Sequence, residues 1–393
     1  MRSGNWPIKH EVLSCAAASN ASPRRRIASN QEFVTQDNSN WCLGVCGFPL
    51  SRGKETGRGL ERVIEEFCRF LGRRKVKYDF YERGLIHSEI NAVIQSLAYL
   101  ATLGRMKADC YFAVYAVAGI FPALLRKRPL VTLITDLIPF HVAGYDNGLK
   151  YAIKRWCARF SSRRSDWLIV GSSSIREEVV TRFGVRADKI VLVPWGVDHK
   201  TYYPSPNVTK VNKRIAFLGE AKRAKGIDAV IRAFRLVVQA VPDATLLIGG
   251  TGRDLDEMKE LAAKTLPADS FSFAGFVREE KMNEFYNSAD LFIFPSRYGF
   301  GLSALEAMAC GTPTLVGATL DAKDFFFDED LLVDPDNDEE IAAKLTALVS
   351  NEELKKRKGI EAVQFAKEFS WDNMSERYLE VCLQASGQKL QAE

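Results

Sequence analysis

Residues 217–234, FLGEAKRAKGIDAVIRAF, read as a strand that ends at Gly219, a short loop, and a helix that begins near Gly226. Ile227, Val230, Ile231 and Phe234 recur at the spacing of one helical face, which is therefore expected to be buried. Lys222, Arg223 and Lys225 crowd the loop ahead of that helix. Cations are disfavoured at the positive end of a helix dipole. An anion held between them and the first helical N–H groups would turn that cost into a binding site. A solvated basic loop is the plainer account, and the pattern alone does not choose between the two.

The same unit recurs along the chain. RIAFLGE, ATLLIGG, FSFAGF, LFIFPS and TPTLVG alternate with helix-length segments, and an earlier series runs through WCLGVCGFPL, CYFAVYAV, LVTLITDLI, DWLIVGSS and IVLVPWG. In GRGLERVIEEFCRFL, Leu60, Val63, Ile64, Phe67 and Leu71 line one face of a helix. This alternation is the signature of parallel βαβ units. Between the two series lies GVDHKTYYPSPNVTKVNK (196–213), polar with two prolines, which reads as an interdomain linker. The expected fold class is α/β: two Rossmann-like, doubly wound domains over 37–200 and 213–370, facing across a cleft. Open sheets of this kind bind ligands at the carboxyl ends of their strands.

Bulk properties narrow the function. With 393 residues, the chain exceeds one compact core at a prior of about 150 residues per domain. It is 47% apolar and 26% charged, and has no apolar run long enough to span a bilayer. A net charge of +5 is too small an excess to imply nucleic acid. The eight cysteines are scattered and read as reduced, buried residues of a cytoplasmic protein. Cys42 and Cys46 lack a second Cys/His pair at zinc-site distance, so no metal site is expected. Residues 1–36 lack periodicity and read as a disordered extension, and the arginines that follow its short apolar stretch argue against an export signal.

Four further stretches hold candidate chemistry. In PSRYGFGLSALEAMACGTP (295–313), Gly299 and Gly301 permit a positive φ or close backbone approach, and the helix that follows directs its first N–H groups toward the strand ends. Glu306 lies about one turn in, where it serves either to stabilise the helix end or to accept ribose hydroxyls. SRGKETGRGLERV sets Gly57 and Gly59 before a helix, a second loop fit to admit phosphate. LITDLIPFH ends a strand in Asp136, where catalytic groups of α/β folds sit, or where an acid simply caps the next segment. GLKYAIKRWCARFSSRRSDW (148–167) interleaves basic and aromatic residues, among them Lys154, Arg155 and Trp156. It reads either as a surface for an anionic bilayer, or as a helix packed on the sheet by Tyr151, Ile153 and Trp156 with a solvated basic face.

Taken together, TGRG, LITDLIP, DWLIVGSSSIREEVV, KIVLVPWGVD, KGIDAVIRAF, LLIGGTG, FAGFV, ADLFIFPS and GFGLSALEAMACGTPTLV resemble the GT-B glycosyltransferases, specifically the retaining family 4 (group 1) type. The resemblance runs from about Trp41 to the helix near Cys382, with FSWDNMSERYLEVC matching the final helix (371–393) that crosses back to the first domain. It implies a UDP- or GDP-linked sugar donor held by the second domain, a saccharide or lipid-linked saccharide acceptor held by the first, and transfer of a hexosyl group with retention, with neither metal nor resident cofactor. Lys225, seconded by Lys222, would contact the donor diphosphate. Glu306 would bind the ribose, and the backbone of Gly299, Phe300, Gly301 and Leu302 would hold sugar and phosphate. Gly57 and Gly59 would join the donor site, and Asp136 and Tyr298 would occupy catalytic positions. Lys154, Arg155 and Trp156 would face the acceptor, or the inner face of the membrane as a peripheral contact. Three positions depart from the family pattern: Tyr298 stands eight residues before Glu306, where an acid is usual, Glu220 replaces an Arg, and Thr135 replaces a His ahead of Asp136. Those departures motivate an alternative, a relic that binds a nucleotide sugar or a partner without transferring anything.

Overall fold

The structure is a computed structural model that describes residues 41–47, 59–82, 99–115, 118–135, 149–320, 323 and 328–388. The extension over 1–36, Gly57, Asp136 and His141 lie outside the described residues. The chain divides into two compact units: the first strand, Leu60–Val193 and the residues from Ser375 make one, and Pro194–Met374 the bulk of the other.

The first unit is built on a six-stranded parallel sheet, β1 (Cys42–Gly47), β2 (Lys77–Glu82), β3 (Cys110–Val114), β4 (Leu130–Ile134), β5 (Trp167–Val170) and β6 (Ile190–Leu192). Its order is β2-β1-β3-β4-β5-β6. The central strands are buried along their whole length, as a sheet covered by helices on both faces requires. Val63, Ile64, Phe67 and Leu71 of the helix Gly59–Arg73 are all buried, as their spacing predicts. The last helix, Trp371–Ala385, packs within this unit from Ser375 onward. There the Tyr378 ring meets Phe67 at 5.5 Å and Phe112 at 5.8 Å between centroids.

The second unit holds β7 (Arg214–Leu218), β8 (Thr245–Gly249), β9 (Phe271–Gly275), β10 (Leu291–Phe294), β11 (Thr314–Gly317) and β12 (Leu332–Val333), again all parallel. Its order is β12-β11-β10-β7-β8-β9. Ile227, Val230, Ile231 and Phe234 of the helix Ile227–Ala240 are fully buried, which confirms the face expected of the opening stretch. β7 and β10 are neighbours, and the chain leaves them in opposite directions, toward β8 and toward β11. That reversal is the switch point at which an open parallel sheet leaves a crevice beyond its carboxyl ends.

Two strands escape the sequence reading. β2, KYDFYE, alternates between exposed and half-buried residues where its burial is described, and β12 is two residues long. Both are edge strands, without the continuous apolar run that marks a covered one. The polar stretch 196–213 also differs from the linker expected of it, since it is fastened to the second unit. Tyr202 is buried there, the Asn283 amide donates to the Thr201 carbonyl at 2.9 Å, and the Ser205 N–H donates to Asn287 Oδ1 at 2.8 Å. The unit boundary accordingly falls at Val193/Pro194.

Candidate functional site

The opening loop tightens into a 3₁₀ turn, Arg223–Lys225, in which the Lys225 N–H donates to the Lys222 carbonyl at 2.8 Å. Gly226 follows at φ +79, and a Cβ there would overlap the carbonyl oxygen of Pro295. Glycine is needed on both counts, and its absent side chain is what lets the loop after β7 touch the loop after β10.

That second loop is held on its partner by its own polar atoms. The buried Ser296 hydroxyl donates to the Tyr298 carbonyl at 2.7 Å, and the Arg297 N–H donates to the Ala224 carbonyl at 3.1 Å. Gly299 and Gly301 both take positive φ, +96 and +85, and Gly301 opens the helix Leu302–Ala309. The Lys225 ammonium consequently lies over the Tyr298 ring, 4.1 Å from its centroid. A Cβ on Gly299 would come within 3.3 Å of the same nitrogen. Lys225, Tyr298 and Gly299, expected at one site from sequence, are thus brought together at the switch point, where the helix Leu302–Ala309 begins.

Charge at the rim is already partly compensated. Lys222 Nζ pairs with Glu220 Oε1 at 2.6 Å, and Arg223 pairs with Glu257. Glu220, which stands in place of a cation, therefore also takes up a neighbouring one. Phe300 turns its side chain into the core, where its ring lies 5.0 Å from that of Trp195, so only its backbone can serve a ligand in this arrangement.

Glu306 is 6% exposed, and its Oε2 accepts a 2.7 Å hydrogen bond from the hydroxyl of Tyr286, on the helix Glu279–Asn287. Burial, reinforced by the Glu306 charge, pushes the Tyr286 phenol far above its ordinary range, and the same two causes raise the Cys310 thiol. A buried carboxylate needs such partners to remain in the core. Tyr286 and Arg297 are the residues that sequence reasoning missed here. Tyr286 lies twenty positions before Glu306 with no spacing to announce it.

Residues 200–364 match the family described as glycosyl transferases group 1, and residues 85–201 match glycosyltransferase family 4. The chain is of the family 4, group 1 glycosyltransferase type. Mannosylfructose-phosphate synthase of Agrobacterium fabrum is 30% identical to this family 4 chain over 172 residues, 39% of this chain and 38% of the relative. The chain spans 38–60% of the length of the first curated relatives it matches. Sucrose-phosphate synthase from Thermosynechococcus elongatus shares the fold with a TM-score of 0.75 at 18% identity, covering 88% of this chain and 98% of that one. Anabaena HepE, solved in complex with UDP and glucose, aligns with a TM-score of 0.68 at 16% identity over 86% of this chain and 98% of its own. The fold is the two-domain α/β GT-B fold.

Gly59 heads the helix Gly59–Arg73, which belongs to the first unit from Leu60 onward, and Thr135 of that unit is buried just past the end of β4. Lys154, Arg155 and Trp156 lie on the helix Leu149–Arg164. The expectation that Ile153 and Trp156 pack this helix on the sheet is corrected: they are 51% and 57% exposed. The buried face is instead Ala158, Ser161 and Ser162, and both serine hydroxyls donate to the Ala158 carbonyl, so small polar residues are buried with their hydrogen bonds satisfied. Trp156 stacks on Phe160 at 5.3 Å, and with Arg159, Arg163 and Arg164 these rings line a cavity of about 500 Å³. Among the described residues no group of three His, Cys, Asp or Glu side chains is placed to hold a metal ion.

Proposed function

We propose that the chain transfers a hexosyl group, with retention of configuration, from a UDP- or GDP-linked sugar to a saccharide or lipid-linked saccharide acceptor in cell-surface glycan synthesis. The observation that carries this reading is the joining of the Lys225 ammonium, the glycines at 299 and 301 and the start of the helix Leu302–Ala309 at one switch point, with Glu306 a turn away. Lys225, backed by Lys222, and the backbone N–H groups from Gly299 to Leu302 would meet the donor diphosphate. As the glycosidic bond to phosphate breaks, negative charge grows on the leaving oxygens, and fixed donors stabilise it most where they need no reorganisation. In this metal-independent reading that duty falls to the lysine and the helix start. Glu306, already oriented by Tyr286, would accept the ribose hydroxyls. Asp136, Tyr298, Gly57 and Gly59 keep the roles that the family resemblance gives them. A fold neighbour that holds UDP and glucose supports the choice of donor.

The proposal extends to a cytoplasmic location in which the segment around Lys154, Arg155 and Trp156 meets an anionic inner membrane face, supported by the exposure of Trp156. No helix among the described residues is long and apolar enough to cross a membrane. The test is a calorimetric titration of UDP-, GDP- and ADP-sugars, with slow donor hydrolysis followed in parallel. Binding of a UDP- or GDP-sugar with hydrolysis or transfer is expected. Tight binding with neither would favour the relic, and no binding at all would remove the donor-site assignment.

A further inference from the structure

The turn at 222–226 and the loop at 295–301 leave different strands, so something must hold them in register before a ligand arrives. We infer that Arg297 is the positioning residue of this cradle, an inference that rests on the reading of Lys225 and residues 299–302 as the donor diphosphate site. The backbone N–H of Arg297 donates to Ala224, and its Nη1 donates to the Arg223 carbonyl at 2.7 Å. Nε and Nη2 both reach Asp336 Oδ1, at 3.1 and 2.6 Å, and Nη2 reaches the Pro335 carbonyl at 3.3 Å. Nη1 also lies 3.6 Å from Oδ1 of Asp228, a buried carboxylate whose other oxygen is held by Arg232 at 3.0 Å. Asp228 Oδ1 has no hydrogen-bond partner among the described residues. A small shift of the loop toward the turn would close that contact and relieve a buried acceptor.

One guanidinium therefore ties the ends of β7, β10 and β12 together. Its planar fork of donors suits this, whereas an ammonium would reach only one or two of the same acceptors. Residue 298 follows directly, so the place of the Tyr298 ring under the Lys225 ammonium depends on where Arg297 is held. The pair with Asp336 is largely exposed on the acid's side and contributes little to folding. Its removal is expected to disturb ligand binding more than stability.

The test titrates UDP and GDP into the full chain and into Lys225→Ala, Arg297→Ala, Arg297→Lys and Arg232→Ala, with a melting curve for each. Arg232 shares Asp228 and also binds Asp338, at 2.7 Å, but makes no bond to residues 295–301, and serves as the stability control. Arg297→Ala is expected to weaken nucleotide binding by about tenfold to a hundredfold, the cost of misplaced binding groups, with no greater loss of melting temperature than Arg232→Ala. Arg297→Lys should recover only part of that binding. Wild-type affinity in Arg297→Ala, beside a loss in Lys225→Ala, would overturn the positioning role and leave the donor site standing. Equal binding losses in Arg297→Ala and Arg232→Ala would overturn it as well, by showing a general structural effect. If the wild type binds neither nucleotide, or Lys225→Ala binds as the wild type does, the donor reading fails and this inference fails with it.

Discussion

The two sheets have the same number of parallel strands and different strand orders, β2-β1-β3-β4-β5-β6 against β12-β11-β10-β7-β8-β9. In the first the reversal falls between β1 and β3, and in the second between β7 and β10. The second has placed its bonds there: the Arg297 N–H and guanidinium hold the loop after β10 to carbonyls of the turn after β7, and Gly226 leaves room for the Pro295 carbonyl against that turn. Among its described residues the first unit places charged and aromatic groups along the outside of a helix, at Trp156, Arg159 and Arg163. Strand content alone would make the halves equivalent, but in the second unit side chains lock the loops that adjoin the reversal, which is why the proposed anion site is placed there.

The sharpest way to break this comparison is to add one methyl group to each half. In Gly226→Ala the new Cβ meets the Pro295 backbone at a positive φ, and neither can give way cheaply. We expect a loss of about 2–4 kcal/mol in thermal or urea unfolding, with nucleotide binding lost too. In Gly44→Ala, on β1, the Cβ meets the end of the flexible Met106 side chain, and a cost of about 1 kcal/mol is expected. Equal costs would show that the loops of the second unit are not locked.

Next in size is Glu306→Ala, which should weaken nucleotide binding by about tenfold or more through loss of charged hydrogen bonds. Tyr286→Phe should keep measurable binding while costing about 1–3 kcal/mol of stability, because a buried carboxylate loses one of its hydrogen bonds. Unchanged binding in Glu306→Ala would reduce the carboxylate to a helix-end role.

A smaller effect separates ring from hydroxyl at Tyr298. If the ring supports Lys225, Tyr298→Phe should cost little in nucleotide affinity, while Tyr298→Leu should cost about 0.5–1 kcal/mol, the range of an exposed cation–π contact. A larger loss in the Phe variant would transfer the role to the hydroxyl. Smallest for folding is Trp156→Ala, within about 0.5 kcal/mol because the ring is exposed. Its readout is sedimentation with anionic vesicles at two salt concentrations, where salt-sensitive binding by the wild type and weaker binding by the variant are expected. Absent or salt-insensitive binding by the wild type would remove the membrane contact.

The parts of this molecule that were legible in sequence are those written in local order. Ile227 to Phe234 repeat at helical spacing, the central strands are continuous apolar runs, and Gly299 and Gly301 mark places where the backbone takes a conformation that a side chain disfavours. β2 and β12 were not legible because an edge strand need not be apolar throughout. The helix Leu149–Arg164 was misread because hydropathy ranks Trp156 above Ser161, whereas a serine that bonds its own helix carbonyl can be buried at small cost. Arg297 gave no signal at all. Its acceptors lie 39 residues ahead at Asp336 and 74 behind at Arg223, and only the adjacency of their strands brings them within reach.

The overlap that Gly226 avoids has a consequence for anyone who would redesign this chain. Because the Pro295 carbonyl occupies the space where a side chain at 226 would stand, the backbone paths of segments 222–226 and 295–301 are sterically coupled. A loop transplanted from a relative would carry its own backbone path past that glycine, and would tolerate it only if the matching turn came too. Libraries that vary either segment singly should be dominated by misfolded clones, and those that exchange both together should recover function.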